Sequence, residues 1–510
     1  MSKSASITIV ILSLILSINF GCTNNTSRSI ASVHNPPDIF KLGFLKASKQ
    51  ILKDVKSSKF NSNECSLYLK DLEEQINLIS VTKFTEGQIE KDALEIVQTS
   101  WLIRSSLHKK LSSFDETCVR QVQANFRQFR FIEDYLMEHI TKVEDISPGK
   151  QDPKRIYPKR TELEFAKQPV PMKDTSFPYY VFHQVKSSEI NKFSAGDLLI
   201  ARGVSFLSAM IARLGRMGTQ FSHVVFVTEE PETKKIKTIE SYVGIGVSSY
   251  EMDDALKNEN ARLLWLRPKD AEIAKKASDL IYERVKSGPQ IYYDYALDFN
   301  DPETMSCAEV AQVAYLMADS QFKIPFYPNE ISGAKSLLEH IGINGGTTFE
   351  PGDMEIDPRF ELLGEFTDLR LTRDSRHKDA IMTKMFEWMD HKNYELHDSF
   401  TSKMAGGIIY SARRTFMWPL VKKLLKIDDF SKEIPRKMVR TVALLNQIGD
   451  ELLAVVQEKD IEFKAKHGWP MTYLELYKTL EDLRVKDEEL YRNKKTRKQS
   501  KFHKFFRAKI

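Results

Sequence analysis

The sequence predicts an α+β protein, a β-rich central domain between two helical regions, and three observations lead there. Up to Thr141 apolar residues recur every three or four positions; from Tyr179 short β-branched and aromatic runs alternate with Gly, Pro and charged turns; after Asp374 the helical period returns. At 510 residues the chain exceeds what one hydrophobic core usually holds, so several parts are expected. A hydrophobic content of 42% and a charged content of 28% exclude wholesale disorder and a multispan membrane protein. The net charge of +5 is too small to argue for nucleic acid.

Taken in order, residues 1–22 carry Lys3, an apolar stretch from Ile7 to Ile18, and then Gly21-Cys22. The stretch is shorter than the roughly 20 residues that span a bilayer, and it ends in a small residue before cysteine. It resembles a bacterial lipoprotein signal, with Asn19 where such signals usually carry leucine; ordinary secretion and an uncleaved anchor are the alternatives. The resemblance implies acylation of Cys22, a polar tether over residues 23–39, and a folded part outside the cytoplasm, at the outer membrane in a Gram-negative organism.

Residues 40–141 read as packed helices through "LYLKDLEEQINLI", "IEKDALEIVQTSWLIRSSLHKKL" and "CVRQVQANFRQFRFIEDYLMEHI". Cys65 and Cys118 fall here, and either pair in an oxidising compartment or stand as two buried thiols. Residues 142–180 are rich in proline and lysine and are expected to form a linker. The central domain, residues 181–370, contains the strand-like runs "GDLLIARG", "SHVVFVTEE", "KIKTIESYV", "GVSSYEM" and "RLLWLRP", then the helix "DAEIAKKASDLIYERVKS". Residues 371–490 are again helical, interrupted at Gly406-Gly407, at Trp418-Pro419 and at His467 to Pro470. Residues 491–510 form a basic aromatic tail with Phe502, Phe505, Phe506 and Ile510.

Cys307 is left without an obvious structural partner, in "DPETMSCAEVAQVAYL" at the first turn of an apolar helix. A helix N-terminus favours a thiolate, and an imidazole within reach takes the proton. His223 opens the strand "SHVVFV", and Glu240 in "TIESYVG" is a carboxylate among apolar and small residues on the next strand. Cysteine, histidine and an orienting acceptor are the parts of nucleophilic acyl chemistry. Taken singly, a histidine in an apolar strand is more often a core residue and a cysteine in an apolar helix more often filler. Asp197 reads as a turn acceptor or a substrate contact; Tyr293, Asp294 and Ser306 read as cleft residues or as a tyrosine-rich surface turn and a helix start. Glu309 reads as a first-turn carboxylate pointing away from the sulfur. No cysteine or histidine spacing suggests a metal, and this chemistry requires neither metal nor organic cofactor.

The order His223, Glu240, Cys307, carried on "AGDLLIARG", "FSHVVFV", "IESYVGIGV" and "YDYALDFNDPETMSCAEVAQVAYL", resembles the circularly permuted papain-like hydrolases, in the YiiX/YebB-like branch of the NlpC/P60 superfamily. "TFEPGDME" is similar to that family's closing turn, and the resemblance covers Phe193 to Phe366. It implies a papain-like central fold in which Cys307 attacks an acyl carbon, His223 shuttles the proton and Glu240 orients the imidazole. The expected activity is cysteine-dependent cleavage of a peptide or N-acyl amide in the cell envelope. The rivals are a thiol acyl hydrolase or transferase acting on lipid, and a non-catalytic scaffold with a degenerate central domain. Expected partners are an envelope peptide, an acylated small molecule or a lipid, and a membrane reached through the acylated N-terminus, with the basic tail and Gly406 to Ile427 as further candidates.

Overall fold

The computed structural model describes residues 35–85, 89–141, 179–182, 193–214, 219–257, 260–297, 301, 303–324, 327–328, 337–338, 347–348, 350–397 and 436–508. Cys22 with its signal, residues 23–34 of the tether, 142–178 of the linker, the stretch 406–427 and Ile510 lie outside the described residues. Six helices make up the first layer: α1 (Ile39–Leu42), α2 (Phe44–Lys56), α3 (Ser62–Asn77), α4 (Val81–Thr85), α5 (Ile89–Lys109) and α6 (Glu116–Thr141). Their apolar stripes, such as Ile51 and Val55, Leu69 and Leu72, Val122 and Phe126, close on one core. Cys65 of α3 and Cys118 of α6 are joined by a disulfide with Cα atoms 5.6 Å apart, so the paired reading holds. Closing that 53-residue separation removes unfolded-chain entropy amounting to about 4 kcal/mol.

The central strands are β1 (Tyr179–Phe182), β2 (Leu198–Gly203), β3 (His223–Glu229), β4 (Ile236–Tyr242), β5 (Gly246–Glu251), β6 (Asn260–Pro268), β7 (Tyr327–Pro328), β8 (Thr347–Thr348) and β9 (Phe360–Thr367). Seven of them form one sheet in the order β1-β9-β6-β2-β3-β4-β5 with every pairing antiparallel, while β7 and β8 pair separately. The expected linker ended at residue 180; instead Tyr179 and Tyr180 already belong to the edge strand, because their backbone pairs with Thr367 and Phe366 of β9.

Alternation along these strands builds two faces. Leu198, Ile200, Val224, Phe226, Ile239 and Leu264 face the core shared with α9 (Ala271–Ser287) and α10 (Cys307–Ala318). Leu199, Ala201, Val225, Val227, Leu263 and Trp265 face the other way, under Phe193 and α8 (Met252–Lys257). The short α7 (Phe206–Ile211) leaves the sheet and inserts Phe206, Ala209 and Met210 into a further core with the C-terminal helices.

The C-terminal layer contains α11 (Leu369–Lys392), β10 (Tyr394–Leu396), α12 (Arg436–His467), α13 (Tyr473–Arg492) and β11 (Phe506–Ala508). Gly468, at φ 77°, turns the chain between α12 and α13, and Trp469 stacks on Phe84 and Tyr135 of the N-terminal layer. Within the basic aromatic tail Phe502, Phe505 and Phe506 are buried, and β11 pairs with β10. Phe502 and Phe506 pack beside Trp388, and Phe506 also beside Tyr394. Among the described residues no helix is long and apolar enough to cross a membrane.

Helices and sheet are tied by buried charge. Arg104 of α5 makes a two-pronged ion pair with Glu133 of α6 at 2.6 and 3.1 Å and reaches Glu365 of β9 at 2.9 Å. Arg262 of β6 also pairs with Glu365 and with Asp134, and Arg130 pairs with Glu355. Removing one member of such a cluster strands the others, so Glu365→Ala is expected to cost about 3–5 kcal/mol. Equilibrium denaturation followed by tryptophan fluorescence checks this, and a loss under 1 kcal/mol would mean the cluster relaxes to solvent.

Candidate functional site

Helix α10 begins where its sequence says it should. Ser306 is the N-cap and Glu309 reaches back to the Ser306 N–H at 2.5 Å, a capping box that leaves Cys307 at the first helical position. The N–H groups of the first turn have no intrahelical acceptor, so the sulfur sits at the positive end of the helix. The approach to the helix is fixed by backbone contacts. Met305 N–H donates to Tyr292 O at 2.9 Å, Ser241 Oγ donates to Met305 O at 2.6 Å, and further along α10 Tyr315 donates to Gly196 O. Gly246 has φ 82°, and a Cβ there would lie 2.2 Å from Ile291 O, so the turn between β4 and β5 closes against this segment only with glycine.

His223 and Glu240 come from adjacent strands. The register pairing Phe226 with Ile239, carried to the strand end, sets His223 opposite Tyr242 and diagonal to Glu240. His223 Nε2 lies 2.9 Å from Glu240 Oε2, and the Tyr242 ring stacks on the imidazole with centroids 5.0 Å apart. Cys307 is buried and is the free cysteine among the described residues, and it interacts electrostatically with the same imidazole.

Electrostatics follow from this chain of contacts. Burial opposes a charge on His223, but its interaction with Cys307 and its hydrogen bond to the Glu240 carboxylate push its pKa up to about 10. Burial alone would raise the Glu240 pKa; its hydrogen bond to His223 and the charge there, with donation from Tyr242 Oη at 2.7 Å and Thr238 Oγ1 at 2.9 Å, hold it below the usual range. The two hydroxyls were not anticipated. Their signal was present as the spacing Thr238, Glu240, Tyr242, which puts three side chains on one face of a strand.

The remaining expected site residues divide. Tyr293 is half-buried, and its ionisation is opposed by burial and then by the charges of Cys307 and Glu309, so it stands at the cluster. Asp294 and Ser306 are buried and committed to structure: Asp294 Oδ1 accepts from Ala296 N–H at 2.7 Å, and the Ser306 hydroxyl caps α10. Asp197 is not a cleft residue. Fully buried, it accepts from Ser194 N–H, Trp265 Nε1 and Arg267 at 2.7–2.8 Å, so both carboxylate oxygens are engaged by the protein itself. Also unanticipated was the clamp on the loop before β3. Gly352 packs so closely on Thr219 that a Cβ would fall 2.1 Å away, and Gln220 takes φ 68°, a left-handed backbone three positions before His223, which opens the strand.

A small cavity of about 30 Å³, lined by Arg202, Arg262, Arg376, Asp134, Glu138 and Asp379 among others, shares no residue with the Cys307 cluster. Those side chains pair between sheet and helix, as in Arg202 to Asp379 at 2.6 Å, and between helices, as in Arg376 to Glu138 at 3.1 Å. Among the described residues no group of three or more histidine, cysteine or acidic side chains is arranged to hold a metal ion.

Comparison with protein-family models gives no match, and comparison with curated proteins gives none either. A solved structure, described as that of metalloprotein yiiX from Escherichia coli O157:H7, matches at 18% identity with a TM-score of 0.28, over 33% of this chain and 94% of its own. That likeness is weak and partial.

The raised imidazole has a thermodynamic consequence. His223 titrates from 6.5 in its ordinary state to about 10 when folded, so the folded chain holds this proton more tightly. The stabilisation is complete below about pH 6.5 and is lost as pH rises toward 10. Burial raises the Glu309 carboxyl from 4.5 to about 8, so its share is lost between those values. Guanidinium midpoints are therefore expected to fall from pH 6.5 to 10, and in His223→Gln the part of that fall above pH 8 disappears. Equal slopes in the two proteins would contradict the assignment.

Proposed function

We propose that this protein is a cysteine-dependent acyl hydrolase acting on an amide, with Cys307 as nucleophile, His223 as acid and base, and Glu240 as the group that orients the imidazole. The observation that carries the reading is the hydrogen bond between Glu240 and His223 at 2.9 Å, with the imidazole interacting electrostatically with Cys307 at the start of α10. An antiparallel sheet packed on the helix that begins with the cysteine, with the histidine strand earlier in the chain, supports a circularly permuted papain-like arrangement.

The steps balance without a co-reactant other than water. The Cys307 thiolate adds to the carbonyl carbon, a C–S bond forms, and the oxyanion is met by N–H groups of the first turn of α10. His223 gives its proton to the departing nitrogen as the C–N bond breaks, leaving a thioester. Water, losing a proton to His223, then attacks; the C–S bond breaks and the acid leaves. An amine departs only when protonated, and His223 is the group placed to deliver that proton.

The disulfide between Cys65 and Cys118 favours an oxidising space. Together with Gly21-Cys22 after an apolar stretch, it supports a lipid-anchored protein of the bacterial envelope acting on an envelope peptide or N-acyl compound. Membrane attachment then rests on the N-terminus, since the aromatic residues of the basic tail are buried.

Cys307→Ala is expected to abolish release of amine from a panel of N-acyl peptides, and His223→Ala to lower turnover by about 10²–10⁴-fold. Intact-mass spectrometry of the wild-type protein with an activated acyl substrate should show one acyl group on Cys307. An unmodified cysteine, or activity unchanged by His223→Ala, would overturn the enzyme reading. Separately, Cys22→Ala is expected to move the protein from the membrane fraction to the soluble extracytoplasmic fraction; retention in the membrane would exclude the lipid anchor.

A further inference from the structure

An imidazole that moves protons has to present one nitrogen in one direction, yet its ring can flip about Cβ–Cγ and can tilt. Glu240 opposes the flip. Against the effect of burial, its hydrogen bonds hold the Glu240 carboxyl below the usual range, so at neutral pH it only accepts. His223 Nε2, 2.9 Å from Glu240 Oε2, therefore carries the hydrogen of that bond, and a flip would turn a C–H toward the carboxylate instead. The carboxylate is itself pinned at both oxygens, with Thr238 Oγ1 donating to Oε1 at 2.9 Å and Tyr242 Oη donating to Oε2 at 2.7 Å. Tyr242 and His223 thus share one acceptor atom.

We propose that Tyr242 is a positioning residue for His223, because its ring lies on the imidazole face while its hydroxyl anchors the oxygen that the imidazole uses. The two restraints act on different motions. The rings stack with centroids 5.0 Å apart and planes 22° from parallel, so a tilt of the imidazole would break the stack, whereas the hydroxyl keeps Oε2 where a flip is penalised. Tyr242 is held in turn. Tyr250 of β5 meets its ring edge-on at 5.5 Å and 87°, and its backbone pairs with Gly246 and accepts Ile245 N–H at 3.0 Å. The bond that Tyr242 guards is sheltered from water, since the Glu240 side chain is 1% exposed and that of His223 17%. An N–H enclosed in this way exchanges slowly, and in the neutral ring the lone pair stays on Nδ1, the nitrogen left for the proton of a thiol or a departing amine. The inference rests on the reading of His223 as acid and base, and adds to it the group that sets the imidazole plane.

The test reads the imidazole proton and turnover separately. In the proton NMR spectrum of the whole protein in water at neutral pH, a downfield N–H resonance that disappears in His223→Gln should be present and sharp. Tyr242→Phe keeps the ring and removes the hydroxyl: the resonance should persist at a changed shift, and kcat for amine release from N-acyl peptides should fall about ten-fold with KM unchanged. Tyr242→Leu removes ring and hydroxyl together: the resonance should be lost to exchange, and kcat should fall about 10²-fold. A tyrosine that served the sheet alone would lower the denaturation midpoint in both variants and leave resonance, kcat and KM as in wild type. That outcome would overturn the proposal, as would a wild-type spectrum without the resonance. Tyr242→Phe, which retains the ring, decides the matter if Tyr242→Leu does not fold. Should no protein in the series release amine while the resonance follows this pattern, the enzyme reading falls and the placing of the imidazole by Tyr242 stands.

Discussion

One constraint organises the central domain: α10 is apolar on nearly every side, with Val310, Ala311, Ala314 and Tyr315 all buried, and so has to be covered all round. The sheet supplies one side through Val224, Phe226 and Ile239, and α9 another through Ala277 and Ile281. Once the helix is fixed by that burial, the position of its first turn is no longer free. Cys307 is therefore held at the end of the sheet where β3 begins, and the first residue of β3 is His223.

Polar contacts then refine what apolar burial has placed. Ser241 and Tyr315 hold the helix to the sheet at two points, and Glu240 takes three donors from its own strand and the next. A buried carboxylate with three donors is stable where an unpaired one is not. The same logic operates at larger scale around Glu365, where Arg104 and Arg262 bring α5 and β6 to one carboxylate. Such ionic clusters contribute little net stability but penalise any other arrangement of helices on sheet. The helical flanks thereby brace the domain that carries the cysteine.

Much was legible in the sequence because it depends on local periodicity. Helices over residues 40–141, strands from "GDLLIARG" to "RLLWLRP", and the start of α10 at Ser306 follow from apolar spacing and capping residues. The turn role of Asp197 was legible, but its distant partners and the fate of the C-terminal phenylalanines were not. Trp265 and Arg267 reach Asp197 from a strand about 70 positions away, and a basic aromatic stretch has the same composition whether its rings are free or buried.

By itself the sequence determined which residue types stand at the strand start, the strand end and the helix start, and hence that a thiol, an imidazole and a carboxylate were available. Only the tertiary structure decided that His223 and Glu240 meet, that Thr238 and Tyr242 hold Glu240, and that Phe502, Phe505 and Phe506 close a core. The physical reason is the range of the forces involved. Periodicity and caps act over one or two turns of chain, whereas pairing β3 with β4 and covering α10 are long-range closures whose outcome depends on the whole buried surface.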